Sequence, residues 1–62
     1  MALIDVAFGQ PGEQVPYRLA IHRYIGHDSP PPSEATVQIV EPGLRQPTED
    51  GKFRIVRKAL VT

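Results

Sequence analysis

His27-Asp28-Ser29-Pro30-Pro31-Pro32-Ser33-Glu34-Ala35-Thr36-Val37-Gln38-Ile39-Val40-Glu41 holds the two signals that decide the architecture of this chain. Three consecutive prolines favour an extended polyproline II path without internal hydrogen bonds, so residues 27–33 read as a rigid connector. Immediately after it, Ala35, Val37 and Ile39 alternate with Thr36, Gln38 and Val40. That is the period of a strand, and four β-branched residues in eight disfavour a helix.

Working toward the N-terminus, residues 15–25 admit two readings. As a strand they place Val15, Tyr17, Leu19 and Ile21 on one face, with Arg18, Ala20 and His22 on the other. As a helix they put Pro16 at its first position and Gly26 at its end, but leave Leu19 off the apolar face. The strand is the preferred reading and a short helix at 16–25 the alternative. Residues 2–8 alternate Ile4, Val6 and Phe8 against Leu3, Asp5 and Ala7, as a half-buried strand does. Between these segments Gly9-Gln10-Pro11-Gly12 suits a type II turn, with glycine at the position of positive φ, and predicts a hairpin.

Toward the C-terminus, Pro42-Gly43 reads as a second turn, and Pro47 with Asp50-Gly51 closes a loop that carries Leu44 and Arg45. Residues 52–61 alternate Phe53 and Ile55 with Lys52 and Arg54 before the pattern slips at Val56. A β-bulge or burial on both faces accounts for such a slip. The expected fold is mainly β: a small antiparallel sheet of about four strands, in two hairpin-like halves joined by the Pro-rich connector, within a single small domain spanning 1–62.

Composition limits how that domain is held together. Eighteen large apolar side chains are available, and tryptophan and cysteine are absent. A domain this short buries a small fraction of its surface and usually needs a disulfide, a metal or a partner. Without cysteine, disulfides and thiolate zinc sites are excluded. Two histidines are too few to hold a structural zinc without help from carboxylates, so contact with other protein becomes the leading way to complete the core. Net charge is zero, which supplies no global attraction to nucleic acid or to an acidic membrane. No apolar run approaches the length of a membrane span, and residues 1–8 lack the basic start of a secretory signal. A cytoplasmic or virion-associated location is expected.

Candidate chemistry is sparse. His22, His27 and Asp28 do not make a chelate by local spacing, and read as a surface histidine on a strand and a His-Asp pair in a loop. Ser29 and Ser33 lack the context of a nucleophile, and the carboxylates are scattered, so no enzyme activity, cofactor, metal site or small-molecule substrate is expected. Pro30-Pro31-Pro32 lacks flanking basic residues and reads as a connector rather than a ligand for an aromatic groove.

Two functional readings remain. The first is a non-enzymatic structural or interaction protein, a component of a homo-oligomer or larger assembly such as an accessory subunit, a phage or virion component, or an inhibitor. Its interface is assigned to Leu3, Val40, Leu60 and Val61, apolar residues that a single thin sheet has no second layer to cover. The second is a nucleic-acid-binding β-module using Lys52, Arg54, Arg57 and Lys58, with Lys52, Arg54 and Lys58 on one side of a strand, Arg18 and Arg23 on a neighbouring one, and Phe53 or Tyr24 stacking a base. Glu49 and Asp50 beside this cluster favour the first reading.

Overall fold

In the computed structural model, which describes residues 4–62, the alternating stretch becomes the longest strand, Thr36–Glu41. Seven strands are found among the described residues, and no helix: β1 (Val6–Phe8), β2 (Gln14–Pro16), β3 (His22–Tyr24), β4 (Thr36–Glu41), β5 (Gly43–Pro47), β6 (Phe53–Arg57) and β7 (Ala59–Val61). The mainly β expectation holds. The architecture is two sheets rather than one, a three-stranded sheet in the order β1-β5-β6 and a four-stranded sheet in the order β2-β4-β7-β3.

The expected N-terminal hairpin does not form, whereas in the C-terminal half β5 pairs with β6 and β4 with β7. β1 pairs with β5 and β2 with β4, both antiparallel, so the first two strands lie in different sheets. The Gln10-Pro11-Gly12-Glu13 turn forms as its sequence requires, with the Glu13 N–H donating to the Gln10 carbonyl at 2.9 Å and Gly12 at φ 88°. It carries the chain from one sheet to the other instead of closing a hairpin. The β3–β7 pair is parallel, which local hairpins cannot produce.

Residues 15–25 are neither one strand nor a helix. β2 ends at Pro16, and the Ile21 and His22 N–H groups both donate to the Arg18 carbonyl, at 3.1 and 2.8 Å. This turn resets the alternation: Leu19 is thrown outward, and His22 and Tyr24 point to the interior side. His22 is therefore buried, not a surface residue. The 27–33 connector is free of regular structure and links β3 to β4, as expected.

The segment expected as a loop after Pro42 is instead β5, the central strand of the smaller sheet. Its Gly-Leu-Arg-Gln-Pro sequence lacks apolar alternation because no second layer buries either face, and alternation is the imprint of one buried face. Residues 48–52 join β5 to β6: the Thr48 N–H donates to the Lys52 carbonyl at 2.8 Å, leaving Glu49-Asp50-Gly51 as a three-residue hairpin loop with Gly51 at φ 81°. Asp50 accepts from the Thr48 hydroxyl and, at 3.4 Å, the Lys52 N–H. These bonds, the hydroxyl's first, hold its carboxyl below the usual aspartate range. The slip at Val56 is a bulge: Leu44 faces Arg57 while Arg45 faces Ile55, leaving Val56 unmatched. A second bulge at Val40 lies between the Ile39–Val61 and Glu41–Leu60 pairs.

The core belongs to the four-stranded sheet. Tyr17, Val37, Ile39 and Val61 form it, with Val15 and Tyr24 packed against them. Tyr24 meets Tyr17 edge to face, with centroids 6.5 Å apart.

Candidate interaction surface

The three-stranded sheet has two chemically different faces. Register places Val6, Arg45 and Ile55 in one row, with Phe8 opposite Gly43 and Phe53 opposite Pro47. Because side chains alternate along each strand, these residues share one face, apolar except for Arg45. The other face carries Ala7 and Leu44 beside polar groups: Arg54 donates to the Gln46 side-chain carbonyl at 2.7 Å, and the Gln46 amide donates to Asp5 at 3.4 Å.

Part of the apolar face is open to solvent, while Phe8 and Ile55 on it are half-buried. Val6 is 43 % exposed and Phe53 51 %, and Ile4, at the entrance to β1, is 74 % exposed. Within this sheet only Gly43 is buried. A side chain there would begin 2.6 Å from the Arg57 carbonyl oxygen and collide with the Phe8 ring. Glycine at the start of β5 is thus the condition for Phe8 to lie across the strand.

Arg45 sits at the centre of this face. Its guanidinium carbon lies 4.2 Å from the Phe53 ring centroid and 6.0 Å from that of Phe8. Contact of this kind stabilises by about 0.5–1 kcal/mol at exposed sites and more when water is excluded. Its Nε is buried and finds no acceptor among the described residues. Leaving such a donor unsatisfied costs about 1–3 kcal/mol. The one ion pair among the described residues, Arg18 with Glu34 at 3.4 Å, lies elsewhere on exposed surface.

No family model, curated protein or solved structure matches the chain. Its function is therefore argued from this geometry.

Of the four residues assigned to an interface, Leu3 lies outside the described residues. Val40 is 42 % exposed on its bulge, and Leu60 is half-buried on the neighbouring β7. Leu60 points away from the side to which Ala59 and Val61 turn. Val61 corrects the expectation: it is completely buried in the core. Pairing with both β3 and β4 places it at the centre of the larger sheet.

The basic segment does not form the stripe its spacing suggested. Lys52, Arg54, Arg57 and Lys58 are all exposed, but the Val56 bulge shifts the alternation so that Arg57 joins Arg54 on the polar face. Lys58 lies between β6 and β7 and in neither. Arg23 is on β3, in the other sheet, and Arg18 is in the turn before it. Phe53 faces away from Arg54 and Arg57 with Arg45 over its ring, and Tyr24 is committed to the core.

A groove of about 270 Å³ lies where the sheets meet, lined by Phe8, Glu13, Val15, Arg18, Ile21 and Ile39 among others. Sites for small molecules usually measure about 300–1,000 Å³, so the groove lies below that range. His22 also borders it. The His22 Nδ1 accepts the Arg18 backbone N–H at 3.0 Å, so the neutral ring carries its proton on Nε2. Burial, and secondarily the Arg18 charge, push its pKa below the ordinary 6.5. Among the described residues, no three of His, Asp and Glu gather as a metal site would need. No helix there is long and apolar enough to cross a membrane.

Proposed function

We propose that this chain is a non-enzymatic interaction protein, a small β component of a protein assembly in which another protein covers the apolar face of β1-β5-β6. The observation that carries this reading is that face itself, on which Val6 and Phe53 are exposed and Phe8 and Ile55 half-buried. A sheet with one apolar face is stable when that face is packed against something.

The dimensions support it. The molecule measures 43 × 19 × 16 Å with a radius of gyration of 12.5 Å, against about 10.6 Å for a compact domain of this length. Its accessible surface is 4639 Å², where a folded monomer of this mass has roughly 4,000 Å². The excess is of the order that one partner contributes to a modest interface. Val40 and Leu60 on the larger sheet are proposed as a secondary contact. An accessory subunit, a phage or virion component and a small inhibitor are all roles of this kind.

The alternative of nucleic-acid binding through Lys52, Arg54, Arg57 and Lys58 gains no support, since the exposed aromatic and the cations lie on opposite faces. The test is sedimentation velocity of the native assembly, comparing the parent with Val6→Asp and Phe53→Asp. Both variants are expected to fold and to lose assembly. Full assembly by both would overturn the reading.

A further inference from the structure

We infer that the apolar face of β1-β5-β6 receives a single short segment of another protein, in which one Asp or Glu lies among apolar residues and pairs with Arg45. This rests on the proposed function above and specifies the partner's chemistry.

Charge identifies the missing group. Arg45 is the one charged residue on a face otherwise made of Val6, Phe8, Pro47, Phe53 and Ile55. Among the described residues no carboxylate pairs with its guanidinium, the one ion pair there being Arg18 with Glu34. An apolar partner alone would exclude water from the rest of the guanidinium and leave a charge unpaired, which is strongly unfavourable. A carboxylate matches the planar fork with two parallel hydrogen bonds. Phe53 and Phe8 hold that fork in place, so less side-chain freedom is lost on pairing.

The same charge argues against a second copy of this chain. In a two-fold arrangement with these faces packed together, Arg45 would meet Arg45. Size then limits the occupant. Five residues of β5 at ~3.3 Å each, across three strands ~4.8 Å apart, give a platform of roughly 17 by 14 Å. That accommodates two or three turns of one helix, about 10 Å wide, or one extended strand, and not a globular surface. Aliphatic neighbours on both sides of Arg45 favour a protein segment over a nucleotide, whose phosphate would be set among Val6, Pro47 and Ile55.

The experiment is selection from a random twelve-residue peptide library displayed on phage against the folded parent chain, followed by affinity measurement on synthetic copies of the selected peptides. Enrichment of Asp or Glu flanked by apolar residues is expected. Replacing that acid by its amide, or making Arg45→Gln, should weaken binding by about tenfold or more. Arg45→Glu should reverse the preference toward Lys or Arg. Peptides that lose affinity with Val6→Asp and Phe53→Asp but are indifferent to Arg45→Gln would overturn the carboxylate claim while leaving the face as an interface. Selected peptides indifferent to all three substitutions, or an empty selection, would overturn the inference. Self-association abolished by Val6→Asp would show a second copy on the face, and salt-sensitive oligonucleotide binding lost in Arg45→Gln a phosphate; either result replaces the proposed occupant. A circular dichroism melt of each variant confirms that loss of binding is not loss of fold.

Discussion

The two sheets of this molecule are built from similar lengths of strand but are stabilised differently. In β2-β4-β7-β3 each strand sends residues to a shared interior, and Val37, Ile39, Ala59 and Val61 are buried there. In β1-β5-β6 the backbone ladder is as regular, yet none of its large apolar side chains is buried: Val6, Phe53 and Val56 are exposed and Phe8, Leu44 and Ile55 only half-buried. Hydrogen bonding defines a sheet, whereas apolar burial supplies most of the free energy that keeps it. One sheet is therefore the foundation of the domain, and the other a platform awaiting cover.

The largest expected difference between the sheets comes from truncating the foundation. Ile39 is nearly fully buried, and Ile39→Ala should cost about 2–5 kcal/mol. That is most of the stability of a domain this small, at roughly 0.05–0.15 kcal/mol per residue. A thermal melt should show the variant largely unfolded near room temperature; a transition within a few degrees of the parent's would contradict the assignment of the core. Next is Gly43→Val at the start of β5. Collision with Phe8 and the Arg57 carbonyl should cost about 1–3 kcal/mol, and chemical shifts in β1 and β6 should move more than those in β3.

A third effect uses pH and touches only the larger sheet. Because the His22 pKa is lowered on folding, the unfolded chain binds the proton more tightly. Its contribution to stability is complete above pH 6.5 and is lost as pH falls from there through the lowered folded value. Urea titrations across this window should show the parent weakening on acidification, and His22→Gln should flatten that dependence. An identical slope in the variant would assign the titration elsewhere. Smallest of all should be Phe53→Ser in the isolated chain. With half of the ring exposed, folding stability should change by no more than about 1 kcal/mol, although assembly is lost.

What the sequence revealed follows the same division. Alternation in 34–41 named β4 and its inward residues Val37 and Ile39, and Gly12 and Gly51 marked real turns. The slip at Val56 marked an irregularity, which the pairing resolves as a bulge rather than burial on both faces. β5 was invisible because Gly43-Leu44-Arg45-Gln46-Pro47 has no buried face to imprint a pattern. The turn at Arg18 was hidden because Leu19 continues the apolar alternation across it, and with it the inward orientation of His22. Arg45, the centre of the candidate surface, reads in the sequence as a loop residue. Its significance depends on two rings, Phe8 and Phe53, that only the β1-β5-β6 pairing brings to the same face. Val61 reads in the sequence as a surface residue because strand order, which surrounds β7 with β3 and β4, is not written in local pattern.

The central claim is that the larger sheet holds the fold while the smaller one depends on cover, and native-state hydrogen exchange on the isolated chain tests it most directly. Amides of β4 and β7 should exchange only through global unfolding, with opening free energies equal to that from urea denaturation. Amides paired between β5 and β6 should open at distinctly lower free energy, without unfolding β4. Equal protection in the two sheets, rising and falling together with denaturant, would contradict the account.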